Sequence, residues 1–399
     1  MLQRSADSLL PAPSTGSFAT LLVLFGASGC AALIYQIVWL ERLSLAIGSS
    51  ALSLGVLLAT FMGGLGLGGW VASRGTGDPR TALRRYAAIE LAIGVLGLAA
   101  FALIPLLGGA YAALAGGGAW TLGLRLAVAG IALLPATLLM GATLPVVASW
   151  LRGGADGAVR LGWCYAANTA GGVLGAVLAA FWLLRVHDAL VATLFAAALN
   201  FAIAVAAVAL ARGRSAPNAA AGEPRAAVPA ARAVAVLYAA TFLSGLTALS
   251  AEVLWTRHLS LLLGGTVYTY ALVLAVVLLG IGLGSAAGAA AGRRFHAYTA
   301  LAACQALLGV AMGAAAWALA RSLPFWPIDV ALPTTPAAAL QLDLLRVAYV
   351  VLPAALLWGA SFPLALAAAV HAGAEPRRAV GGLYAANTAG AIVGALATT

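Results

Sequence analysis

Tyr165-Ala166-Ala167-Asn168-Thr169-Ala170-Gly171 recurs as Tyr384-Ala385-Ala386-Asn387-Thr388-Ala389-Gly390, about 219 positions further along the chain. Other pairs keep nearly the same offset. Gly141-Ala142-Thr143-Leu144-Pro145 answers to Gly359-Ala360-Ser361-Phe362-Pro363, and Leu134-Pro135-Ala136 to Leu352-Pro353-Ala354. Upstream, Trp39 with Leu43-Ser44-Leu45 matches Trp255 with Leu259-Ser260-Leu261, and Gly64-Leu65-Gly66-Leu67-Gly68 matches Gly280-Ile281-Gly282-Leu283-Gly284. The chain is an internal duplication, and its remaining features are read against that repeat.

Composition fixes the solvent. Of 399 residues, 63% are hydrophobic and 8% are charged, with a mean hydropathy of +1.04. A water-soluble domain carries about a quarter of its residues charged, so this is an all-α polytopic membrane protein whose main partner is the lipid bilayer. All 21 basic residues are Arg, giving a net charge of +10. That charge would point to nucleic acid only in a soluble chain. Cys30, Cys164 and Cys304 sit in apolar runs and form neither a disulfide framework nor a zinc spacing. The GxGxG runs lie inside apolar segments and follow no strand, so they read as packing features and not as a dinucleotide loop. His187, His296 and His371 lack metal-ligand spacing. The sequence thus offers no catalytic residue, metal site or cofactor.

Apolar runs of about 20 residues mark spanning helices. Residues 1–17 form a polar tail. The first repeat, 18–211, holds six helices, near 18–40, 51–73, 86–107, 122–150, 161–184 and 189–211. Residues 212–232, with Pro217, Pro224 and Pro229, form a linker. The second repeat, 233–399, holds about five, near 233–255, 267–291, 297–320, 344–370 and from 381 onward. Glu41-Arg42, Arg185 to Asp188 and Arg257-His258 read as helix-end groups, and 322–341 as an interfacial or re-entrant piece. The second repeat stops inside its fifth helix, and the expectation is a fragment, or a truncated gene product, of a longer protein. About 15 of the 21 Arg residues fall on one side, which puts the N-terminus and linker in the cytoplasm and the chain in the inner (plasma) membrane.

Ionisable and amide side chains inside spans are candidates for function. Glu252 lies one turn before Trp255, and its repeat partner is Gln36 before Trp39. Glu90 opens the third helix, and its partner is Gln305. Each repeat therefore pairs an acid with an amide in swapped positions. A carboxylate beside an indole face suits an organic cation, and it can also carry a proton. The competing readings are interfacial carboxylates and belt tryptophans. Asn168 and Asn387, with Tyr165 and Tyr384, read either as helix-packing groups or as a polar lining where the repeats meet.

Two six-helix repeats in one orientation, the second truncated, resemble the parallel-repeat plan of the major facilitator transporters. The string Ala32 to Trp39, the run Phe61 to Gly68, the Gly141 to Pro145 box and the Tyr-Ala-Ala-Asn-Thr-Ala-Gly box resemble the membrane half of the spermidine synthase-like integral membrane proteins. That resemblance implies a C-terminal or separate aminopropyltransferase-like domain in longer relatives. It also implies a polyamine or another small organic cation as ligand. The glycine-rich loop and acidic residues of such an enzyme have no counterpart in these 399 residues. Two functions follow as expectations: a transporter-like module moving or channelling the cation, or a non-transporting membrane anchor for the enzyme.

Overall fold

The computed structural model describes residues 15–48, 51–74, 79–116, 120–151, 157–212, 231–264, 267–326, 335–374 and 376–398. Among these, all regular structure is helical, and 11 helices are long and apolar enough to cross a bilayer. They are α1 (Thr15–Ile47), α2 (Ala51–Arg74), α3 (Pro79–Leu114), α4 (Trp120–Trp150), α5 (157–186), α6 (Ala189–Arg212), α7 (Ala231–Leu263), α8 (Val267–Arg294), α9 (297–325), α10 (Pro336–His371) and α11 (Pro376–Ala397). Helix α5 contains a π turn at Ala179–Leu183, and α9 another at Ala318–Ser322. The tail 1–14 and most of the linker, 213–230, lie outside the described residues.

Several helices run further than hydropathy alone indicates. α1 continues beyond Glu41-Arg42 to Ile47, and α7 continues beyond Arg257-His258 to Leu263. At about 1.5 Å per residue a 33-residue helix is about 50 Å long, against a hydrocarbon core of about 30 Å. A charge near the rim therefore need not end a helix. The Arg42 guanidinium lies 3.9 Å from the centre of the Phe101 ring, where the aromatic face supports it. Asp188 caps α6, accepting from the Val191 amide at 2.8 Å, so the Arg185 to Asp188 stretch is a joint between two helices. The Thr335 hydroxyl likewise accepts from the Ala338 amide at 3.2 Å and opens α10; residues 327–334 lie outside the described part.

The duplication is visible in the turns. α1 ends at Gly48 (φ 96°) and α7 at Gly264 (φ 102°), both left-handed, where a Cβ is penalised. In each case a hydroxyl of the next helix, Ser53 or Thr269, donates to that glycine's carbonyl. Gly264→Ala is expected to cost about 1–2 kcal/mol, read as a lower midpoint of thermal unfolding in detergent; an unchanged midpoint would contradict the turn geometry.

Packing repeats as well. In the first half α1 lies on α5, α2 on α4, and α3 on α4 and α6; in the second α7 lies on α11, α8 on α10, and α9 on α10. Lipid supplies no hydrophobic drive for helix association, so close backbone approach at small residues carries it. Gly68 faces the Leu138 carbonyl of α4, and Gly284 the Leu356 carbonyl of α10. Gly171 and Gly175 sit on Gly26 and Cys30 of α1, while Gly390 and Gly394 sit on Phe242 and Leu246 of α7. The halves meet where α2 packs on α11 and α5 on α8.

The repeated heptapeptide has two working faces, separated by helical spacing. Its Asn-Gly face holds the repeat together. The Asn168 side-chain amide donates to the Phe25 carbonyl at 3.1 Å, and Gly29 meets the Asn168 backbone as Gly245 meets that of Asn387. Its Tyr-Thr face meets the other repeat: Thr388 lies against Gly66, and Thr169 against Gly282. Asn168→Ala is expected to cost about 0.6 kcal/mol, the usual worth of an interhelical hydrogen bond in a membrane protein. A thermal-melt series on detergent-solubilised protein measures it, and a loss several times larger would mean that Asn168 does more than join α5 to α1.

Candidate functional site

Polar groups collect where α1, α7 and α8 meet. Gln36 of α1 donates through Nε2 to the Tyr270 hydroxyl of α8 at 2.7 Å, a bond that joins the two repeats. Both side chains are buried, Gln36 at 2% and Tyr270 at 1% exposure. Glu252 of α7 lies within electrostatic range of Tyr270. Glu252 is 5% exposed, and its Oε1 has no hydrogen-bond partner among the described residues. Because α7 runs to Leu263, Glu252 stands three residues past the middle of the span Ala235–Leu263 and not at its outer rim.

Aromatic rings surround this cluster on both sides. Trp255, one turn from Glu252 and therefore on the same face, is 3% exposed, and its ring centre lies 5.5 Å from that of Trp358 in α10. Trp358 donates from its indole nitrogen to the Thr247 hydroxyl at 3.2 Å. In the first repeat Trp39 is fully buried, stacked on Tyr35 at 5.3 Å and tilted towards Phe61 at 6.4 Å. Its Nε1 has no partner among the described residues. Belt anchors face headgroups, and these two tryptophans face protein; the belt reading of Trp39 and Trp255 does not hold.

The second acid occupies a different place. Glu90 of α3 is fully buried within the first repeat. Its Oε1 accepts from the Ser28 hydroxyl of α1 at 2.7 Å, and its Oε2 from the Asn200 amide of α6 at 2.6 Å. Helix α3 begins at Pro79, seven residues earlier than its apolar run, and this carries Glu90 into the span. Gln305 sits in the second repeat and donates to the Ser361 hydroxyl at 3.0 Å. The swapped acid–amide pairs thus diverge: Gln36 and Glu252 share the seam between repeats, whereas Glu90 and Gln305 lie within separate bundles.

Asn168 and Asn387 serve the helix contacts described above. Tyr165 and Tyr384 remain 45% and 40% exposed and lie within electrostatic range of each other. Sequence reasoning missed Tyr270, Ser28 and Asn200. Asn200 had a signal, being the lone amide in the apolar run of α6. Tyr270 had none, because Thr269-Tyr270 at a helix start reads as interfacial.

A further polar group lies beside α5. The Phe181 ring, on the π turn of α5, meets the Tyr268 ring edge-on at 4.7 Å. The Tyr268 hydroxyl donates to Asp343 Oδ2 at 3.3 Å, and Asp343 pairs with Arg346 at 3.0 Å. Both side chains of that pair are partly buried, Arg346 at 17% and Asp343 at 19% exposure, one turn apart on α10.

No family model matches the sequence, and no curated protein matches it. Solved structures do. A crystal structure of a major facilitator superfamily transporter, FucP, in the outward conformation superposes with a TM-score of 0.51 at 14% identity, covering 96% of this chain and 90% of that one. A bacterial homologue of the iron transporter ferroportin, in an outward-facing state, gives 0.53 at 16% identity, covering 94% and 90%. The same homologue with soaked iron gives 0.52 at 14% identity, covering 94% and 89%. At these identities the likeness speaks for architecture: the chain is a multi-pass membrane protein with the fold of the major facilitator transporters.

Proposed function

We propose that the chain moves a small organic cation across the membrane, with Glu252 as its charged contact. The observation that carries the reading is the Glu252 carboxylate, buried at the seam between the repeats with one oxygen unpartnered. A buried carboxylate without a counter-charge costs several kcal/mol, and an ammonium ligand would offset that cost. Gln36 and Tyr270 would supply neutral hydrogen bonds beside it, and Trp255 an indole face for the cation. In transporters built from parallel repeats, substrate sites lie near the bilayer midplane where the repeats meet, and Glu252 lies three residues past the middle of the span Ala235–Leu263.

The resemblance to spermidine synthase-like membrane proteins supports a polyamine as the first ligand to try. The one-sided distribution of Arg supports a cytoplasmic N-terminus and an inner-membrane location. The test is uptake of radiolabelled putrescine and spermidine into proteoliposomes holding the purified chain. Saturable flux above protein-free liposomes is expected. Absence of flux for both amines, from protein that remains folded, would sink this reading and favour a membrane anchor for an aminopropyltransferase-like domain.

A further inference from the structure

Glu90 lies outside the seam and takes no part in the reading above. Its surroundings are unusual for a carboxylate in a membrane. The group is fully buried, and the groups bonded to it are neutral: the Ser28 hydroxyl from α1 and the Asn200 amide from α6. Tyr86 of α3, itself fully buried, contacts it from one turn below, and Tyr35 of α1 lies within electrostatic range. Cys164 of α5, also buried, lies within electrostatic range of Tyr86. The ion pair found among the described residues, Asp343 with Arg346, is in the other repeat.

Two details narrow the chemistry. First, each neighbour can serve both forms of the carboxyl. A hydroxyl donates or accepts, and an amide presents N–H on one edge and C=O on the other. An Arg or Lys here would favour the ionised form alone. Second, the Asn200 amide oxygen is buried, on a residue 1% exposed, and has no partner among the described residues. Amide nitrogen and oxygen exchange places by a simple turn of the side chain. Turned, Asn200 would present that oxygen to Glu90 Oε2 and accept a hydrogen bond from a carboxylic acid. The direct contacts of 2.7 and 2.6 Å leave no room between the partners for a metal ion with its own shell of oxygens.

We infer that Glu90, with Ser28 and Asn200, is a proton-binding site inside the first repeat, distinct from the seam that holds Glu252. The proton adds to Glu90 Oε2 and leaves from it, with the Asn200 amide turning to suit. Because its partners come from α1, α3 and α6, occupancy changes a bond that ties three helices together. The inference stands whether or not the chain transports an organic cation.

The experiment is infrared difference spectroscopy of the purified full chain in nanodiscs as pH is stepped, following the carboxylic C=O stretch. The expected result is a pH-dependent carboxyl band that Glu90→Gln removes and Glu252→Gln leaves in place. Ser28→Ala covers the case in which Glu90→Gln does not fold. It removes one hydrogen bond from the same carboxyl, so the band must move in frequency. A Glu90→Gln spectrum that keeps every carboxyl band of the parent, or a Ser28→Ala band that does not move, would overturn the assignment.

Discussion

Glu252→Gln is expected to weaken binding of an organic cation by about 30-fold to several thousand-fold, and to abolish measurable flux. The estimate comes from removing one partner of a buried charge pair, worth about 2–5 kcal/mol, at about 1.4 kcal/mol per factor of ten. The side chain is nearly isosteric, so the packing of α7 against α8 is kept. Stability should respond in the opposite sense. In the empty protein Glu252 is a buried carboxylate with an unpartnered oxygen, and replacing it with a neutral amide removes a desolvation cost. The thermal midpoint of the empty variant should therefore equal or exceed that of the parent. Loss of flux together with a lower midpoint would mean that Glu252 is a packing residue. Isothermal titration with spermidine and a thermal melt on the same preparation separate the two.

Gly171→Ala should be the most disruptive single-methyl change in the duplicated string. A Cβ there would fall inside van der Waals distance of the Gly26 carbonyl of α1, which is backbone and cannot turn aside. Overpacking of this kind costs about 1–3 kcal/mol, while alanine in a helix interior returns only about 0.5–1 kcal/mol. The net loss should appear as a lower thermal midpoint, and Gly390→Ala, against the Phe242 carbonyl of α7, should behave alike. Gly313→Ala provides the contrast. It lies on α9 with nothing within 4 Å of the new methyl, so it should be neutral or stabilising. Equal midpoints for the Gly171 and Gly313 variants would contradict the close approach of α5 to α1.

Much of the architecture was legible because membrane folds announce themselves through run length and repeats. The heptapeptide at 165–171 and 384–390 marked the two bundles, and apolar runs marked each of the 11 described helices. Their ends were less legible. Hydropathy stops at Glu41-Arg42, but α1 is held together by its own backbone bonds and continues to Ile47, with Arg42 supported by Phe101. For the site, composition flagged Gln36, Glu90 and Glu252 as groups a bilayer does not tolerate without cause. It could not say which would meet. That depends on how α8 lies against α1, and the bond from Gln36 to Tyr270 spans 234 positions of sequence. The Asn residues of the repeated string show the converse: a strong sequence signal whose visible work is to hold helices together.

The organic-cation reading is tested most directly by counterflow of labelled spermidine in proteoliposomes, with putrescine and its uncharged analogue 1,4-butanediol as competitors. Saturable counterflow is expected, inhibited by putrescine and untouched by the diol, since the Glu252 carboxylate requires a cation. Counterflow that the diol inhibits as well as the diamine does, or no counterflow from folded protein, would contradict it.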